Sequence, residues 1–213
     1  MENELKALIG TNERIKYEGR PDYKTYIFET IFNPLLPIAI IWAALDFGIL
    51  GFGVFGQGNT PTGFLAFIIP FMLLHLMPVW IYLGGVLLAR RRYNNTYYIV
   101  TDHAVYMSSG AFRKQFAHKP FAELSHVDLH RGIFDQWFGV GDVELSSSQA
   151  FESLDSNGNR SVSIRSMSIC NIKEYVEVYQ MVKKLQEDIY TDVMYPNDKR
   201  PPENHGYNTE YKG

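Results

Sequence analysis

The hydrophobic pattern of this chain changes period twice. Residues 31–56, IFNPLLPIAIIWAALDFGILGFGVFG, and 63–89, GFLAFIIPFMLLHLMPVWIYLGGVLLA, have no period: apolar side chains fall on every face. Each run is roughly 25 residues long, against the ~20 that cross a ~30 Å hydrocarbon layer as a helix. Buried helices of soluble proteins rarely stay apolar all round at that length. Pro34, Pro37, Pro70 and Pro78 would damage a soluble helix, but membrane-spanning helices tolerate proline as a kink. From Tyr97 the period becomes two. TYYIV, AVYMS, AFRKQFAHKPF, LSHVDLH, GIFDQWFGVGDVELSS and SVSIRS read as strands joined by tight turns, among them an Asn-Gly turn within SLDSNGNR. About seven short strands predict an antiparallel sandwich or open barrel.

The last pattern is helical. Ile172, Tyr175, Val176, Tyr179, Val182, Leu185 and Ile189 share one face, with Asn171 as the expected N-cap and Glu174 in the reciprocal capping position. That helix would close the β-domain. The expected organisation is an N-terminal segment 1–29, a two-helix transmembrane hairpin 30–92, a β-domain 93–190 and a polar, Pro-rich disordered tail 191–213.

Charge sets the orientation. Residues 31–89 contain no Lys or Arg, whereas Arg14, Lys16, Arg20 and Lys24 precede them and Arg90, Arg91 and Arg92 follow. The connector QGNTPT (57–62) is short and uncharged. The positive-inside rule therefore places both ends of the hairpin in the cytoplasm. The first run starts too late and runs too long to be a cleavable signal. Over all 213 residues the formal charge is −3, which argues against general nucleic-acid binding. One cysteine, Cys170, forms no intrachain disulfide, and no Cys/His cluster has zinc spacing.

ERIKYEGRPDYKTY (13–26) ahead of a hairpin of spans, and YYIVTDHAVYMSSGAFRKQFAHKPFAELSHVDLHRGIFDQWFGVGDVELSS (97–147) after it, resemble the bacterial pleckstrin-homology-like (PH-like), membrane-flanked domain proteins. The shared features are the TD turn, the Pro ahead of the fourth strand, and the glycine-rich run from Gly132 to Val143. The resemblance covers roughly residues 13–190. It implies a split seven-stranded barrel with a C-terminal helix, no catalytic residues and no cofactor. The basic cluster of lipid-binding namesakes is missing from the turn TDH, which offers only His103.

Several residues are candidates for chemistry. GFGVFG (51–56) spells a dinucleotide fingerprint, but with no strand before it the match is accidental. Asp46 and His75 are the ionisable side chains, Tyr aside, inside the apolar runs. Folding the hairpin at its connector sets them near one another, either as a proton or ligand site or as a lock between helices. His126, Asp128 and His130 share one strand face, and alternate positions ~6.6 Å apart converge poorly on one metal ion. Arg113, Lys114 and Lys119, with Arg90, Arg91 and Arg92, are candidates to face anionic headgroups or a partner.

The function expected from these features is a non-enzymatic protein of the bacterial inner (plasma) membrane. Its cytoplasmic PH-like domain would bind a protein partner or a second copy. The alternatives are recognition of anionic lipid or envelope stress, and a transporter subunit built on Asp46 and His75.

Overall fold

The computed structural model describes residues 2–51, 62–154 and 160–194. Residues before Ile27 and after Arg91 form one compact unit, and Ile27–Arg91 a second. The fold is α+β, with two antiparallel sheets of four and three strands.

The first unit opens with α1 (Glu2–Lys6) and β1 (Ile15–Gly19), and α2 (Tyr23–Ile31) leads out of it. The chain returns through α6 (Ala89–Asn95) into β2 (Tyr97–Thr101), β3 (Ala104–Ser109) and β4 (Gln115–Pro120). These three strands and β1 form the first sheet, in the order β1-β2-β3-β4. A 3₁₀ turn (Phe121–Glu123) leads to the second sheet, β5 (Leu124–His130), β6 (Gly141–Leu154) and β7 (Arg160–Ile172). A short helix α7 (Ile133–Phe138) joins β5 to β6, and α8 (Tyr175–Met194) follows β7.

β2 is buried on both faces because each face meets a different partner. Tyr98 and Val100 point into the main core with Phe121, Leu145 and Ile169, which α8 lines with Val178, Val182 and Ile189. Tyr97 and Ile99 point the other way, against Leu5 of α1 and Tyr106. This second core explains why the N-terminal residues belong to the β-unit and are not a separate segment 1–29. β1 pairs with β2 from Ile15↔Thr101 to Gly19↔Tyr98. Glu13 adds two hydrogen bonds, accepting from Thr101 Oγ1 at 2.7 Å and Tyr106 Oη at 2.8 Å.

Three local expectations change. GIFDQWF is helix, not strand: Asp135 accepts the Gly132 N–H at 2.7 Å, and Gly139 ends the helix at φ 69°. Asn171 does not cap α8. It is held at φ 56° at the end of β7, where its N–H donates to Asp142 Oδ1 at 2.7 Å. The buried face of α8 carries Val178 in place of Val176, which is exposed. α8 also runs to Met194, so the expected tail boundary at 191 moves; residues beyond 194 lie outside the described part, as do the Asn-Gly turn and most of the 57–62 connector.

The second unit contains the end of α2, then α3 (Leu35–Leu50), α4 (Thr62–His75) and α5 (Met77–Leu87). Tyr23–Leu50 is long and apolar enough to cross a membrane by length and composition. Ala66–His75 and Met77–Leu87 pass that test only as a pair, bent by 52°. The kink expected at the prolines of 63–89 is thus a sharp bend between two helices. Pro78 has no N–H for the carbonyl of Leu74, so the helix breaks at Leu76. Val79 and Trp80 N–H both turn to Leu76 O, at 2.9 and 3.0 Å. Two indoles serve neighbouring carbonyls: Trp42 Nε1 donates to His75 O at 2.8 Å and Trp80 Nε1 to Leu73 O at 3.0 Å. A second break precedes α3, where Pro34 cannot donate to Thr30 O. Asn33 Nδ2 takes that carbonyl at 2.7 Å, while its Oδ1 accepts the Leu35 N–H at 2.8 Å.

Candidate functional site

An open cleft of about 640 Å³ lies where the chain leaves the β-unit. Its walls include Tyr17, Arg20, Asp22, Tyr93, Lys173 and Glu174. Strand alternation turns Tyr17 toward the main core's edge, where burial, helped by Glu174 and Tyr97, pushes its hydroxyl up to about 12. Gly19 is the last residue of the strand, and a Cβ there would run into the Tyr17 hydroxyl. The Arg20 guanidinium then lies 5.3 Å over the Tyr97 ring.

Asp22 is the hub of this corner. Its Oδ1 accepts the Thr25 N–H at 3.0 Å and the Thr25 hydroxyl at 3.1 Å, which caps α2. Lys173 Nζ stands 3.3 Å from Asp22 Oδ2, and the Asp22 N–H donates to Asn171 O at 2.6 Å. Burial alone would raise the Asp22 carboxyl, but Thr25 and Lys173 bring it below its ordinary value. Tyr93, on the returning chain, meets Tyr23 edge-on at 4.9 Å and Tyr26 at 5.7 Å. The point where the chain leaves the β-unit and the point where it re-enters are thus one place. Cationic and anionic side chains alternate around the cleft, with aromatic rings between them. This suits a polar or zwitterionic group or a peptide better than a bare polyanion.

None of these six residues was singled out as a site from the sequence. The signal was present, in the strand-like alternation of IKYEG and the Asp-x-x-Thr cap that follows. The basic candidates, by contrast, do not form one surface. Arg113 is exposed in the β3–β4 turn, and Lys114 beside it is held by Glu4 at 2.9 Å. Lys119 is buried, its Nζ donating to Leu145 O at 2.9 Å across the gap between β4 and β6. It therefore cannot read a headgroup with the other two: the earlier residues of β4 are exposed, but Lys119 is buried, and a buried ammonium needs the acceptor it finds there. Arg90 and Arg91 are exposed, and Arg92 is half-buried.

In the second unit the structure brings Asp46 and His75 together. His75 Nδ1 stands 2.7 Å from Asp46 Oδ1. Trp42 stacks on the imidazole at 5.3 Å and Phe71 at 5.5 Å. The Asp46 side chain is 1% exposed, and its Oδ2 is buried with no hydrogen-bond partner. His126, Asp128 and His130 lie on the exposed face of β5, with His130 Nε2 3.3 Å from Glu144. Among the described residues no group of three or more His, Cys, Asp or Glu is placed to hold a metal ion.

A family model described as a bacterial PH domain matches residues 34–183. No curated protein and no solved structure matches the chain. The family match begins after β1, so the strand pairing adds to the domain a segment that the match leaves out. With seven strands in two antiparallel sheets, a C-terminal helix against their core, and a match over most of its length, this chain belongs to the bacterial PH domain family.

Proposed function

We propose that this chain is a non-enzymatic protein of the bacterial inner membrane, whose PH-like domain carries a two-crossing membrane hairpin in its first strand-to-strand connection and binds a protein partner. The two sheets and α8 are then the split barrel and its closing helix. One observation carries the reading: the chain leaves and re-enters the β-unit at one place, with Gly19 paired to Tyr98 and Tyr23 against Tyr93 at 4.9 Å. An excursion that returns to its origin crosses a membrane an even number of times. If Tyr23–Leu50 crosses, the return falls to the bent pair α4 and α5. The apolar side chains exposed on every face of this unit, such as Ile41, Phe47, Leu74 and Ile81, support lipid as their surroundings.

The flanking arginines and lysines favour the cytoplasm for both ends. Tethering supplies effective concentration, so a modest contact in the cleft suffices for binding. The mixed charge of the cleft favours a protein partner over an anionic lipid, which Lys119 is no longer available to read. A transporter role for Asp46 and His75 would need several copies, since two helices enclose no path.

Two measurements test this. Tags at both termini of the full chain should react only after the inner membrane is opened; reaction of either tag from outside overturns the topology. A photo-crosslinking amino acid at Glu174, in intact cells, should give a discrete protein adduct that Gly19→Leu abolishes. Adducts to lipid alone would overturn the choice of partner.

A further inference from the structure

The end of the β-unit from which the chain departs carries more apolar surface than the cleft uses. α7 holds Ile133 and Trp137 outward at 70% and 72% exposure. Four residues apart, they share one face of the helix. Both ends of this helix are fixed: Gly132 N–H binds Asp135 Oδ2 at 2.7 Å, and Val140 N–H binds Asp135 O at 2.9 Å. Arg131 clamps the loop, donating from Nε to Val140 O at 2.9 Å. A buried aspartate and a clamped turn thus serve to hold a tryptophan and an isoleucine in the open.

The position of α7 follows from two short hydrogen bonds. Asp142, just past the helix, accepts the Asn171 N–H at 2.7 Å, and Asn171 O accepts the Asp22 N–H at 2.6 Å. Asp22 is the cap of α2, the helix that leaves the unit. On the re-entry side, Asn95 Nδ2 donates to Gly110 O at 2.9 Å, which fixes the β3–β4 turn at the same end. That turn carries Phe112 at 74% exposure, followed by the exposed cation Arg113. Large exposed apolar side chains therefore flank both the departing and the returning chain.

We propose that Ile133, Trp137 and Phe112 form an interfacial anchor that dips into the headgroup layer of the bilayer that the hairpin crosses. This rests on the membrane reading given above. Trp137 has the apolar body and polar edge enriched at that depth, Ile133 and Phe112 add apolar area, and the cation Arg113 beside Phe112 matches anionic headgroups. The anchor turns a domain hung on two chain segments into one held at fixed tilt, with the cleft kept at the membrane surface.

The test uses the full chain in vesicles of phosphatidylethanolamine and phosphatidylglycerol. Cys170→Ser removes the native thiol, and single cysteines replace Ile133, Trp137, Phe112 or, as control, Asn12. Asn12 precedes the start of β1, at the opposite end of the strand from Gly19. Nitroxide labels are then probed with lipid-soluble oxygen and an aqueous nickel complex. The ratio of oxygen to nickel collisions should be at least severalfold higher at the three anchor positions than at position 12. Equal, water-like ratios in protein that floats with the vesicles overturn the anchor and leave the hairpin standing. Labels shielded from both reagents indicate burial against protein and overturn it as well. Protein that fails to float removes the membrane reading, and the anchor falls with it.

Discussion

Two phenylalanines show how differently the units are built. Phe121, in the β-unit, is 1% exposed among Val100, Leu145 and Val182. Phe47, in the apolar unit, is 69% exposed, one position from an aspartate that is almost fully buried. Apart from Phe112, Ile133, Trp137 and a few other exposed apolar side chains, the first unit hides hydrocarbon and shows charge, as water requires. The second shows hydrocarbon, hides the Asp46 side chain with its histidine contact, and pairs its two indole donors with helix carbonyls. Exposed apolar side chains together with internally satisfied carbonyls are what the proposed lipid surroundings require, since no water is available there to satisfy a backbone group.

The largest test of the contrast truncates both rings. Phe121→Ala should cost about 3–5 kcal/mol, since it empties a packed core. Phe47→Ala should cost well under about 1 kcal/mol, because a ring 69% exposed leaves no cavity in the protein. Denaturation of the purified protein in detergent reads both, followed by the circular dichroism of the strands for Phe121→Ala and of the helices for Phe47→Ala. Equal losses would mean that Phe47 is packed against protein after all.

Polarity gives the reverse experiment. Phe47→Arg at a water-exposed site should change stability by no more than about 0.5 kcal/mol. Facing hydrocarbon it should oppose insertion, by less than the ~2.5–3.5 kcal/mol of a helix centre because Phe47 lies three residues from the end of α3. The fraction of protein recovered in membranes after alkaline extraction distinguishes the two cases. Undiminished recovery would sink the claim that this helix faces lipid.

The sequence carried these two regions unequally. Composition alone exposed the apolar unit, and the isolation of Asp46 and His75 within it drew attention to both. The break at Leu76 was not legible, because Pro78 permits either a kink or a full break, and the Trp42 and Trp80 donors that support the break belong to tertiary structure. In the β-unit, strict alternation marked β2 and β3. β1 was missed as a strand because its partner comes only after the whole apolar segment. The outward reading of Lys119 failed for a related reason: what buries it is Leu145 O of β6, far along the chain. The local signal Asn-x-x-Glu at Asn171 was real as a pattern, yet Asp142 and Asp22 hold that residue in a left-handed corner. The cleft residues were hidden because they gather from three separate stretches.

The polar centre of the apolar unit gives a smaller effect. Trp42→Phe removes the donor to His75 O, and Asp46→Asn weakens the contact to the imidazole. Hydrogen bonds between membrane helices average about 0.6 kcal/mol and reach about 1.7. A double-mutant cycle of Asp46→Asn with His75→Ala should show coupling within that range. Strict additivity would mean that the 2.7 Å contact contributes nothing to stability.

The smallest effect separates the units by pH. Burial raises the Asp142 carboxyl from its ordinary value; the Asn171 N–H opposes that and Asp135 adds to it. A carboxyl raised in the folded state contributes stability that is fully present below the unfolded value, about 3.9, and is lost as pH rises through the folded value. Asp142→Asn keeps an oxygen for the Asn171 N–H and cannot ionise. The variant should therefore gain on the wild type as pH climbs from 4 toward neutrality, with the difference levelling once Asp142 is fully charged. Asp22 and Asp102, both lowered, lose their contributions on acidification, and the comparison cancels them because both proteins retain them. Melting of the β-unit, followed by circular dichroism across that range, gives the readout. A constant difference at every pH would show that Asp142 ionises as freely as an exposed carboxylate and that the corner joining β6, β7 and α2 is open to water.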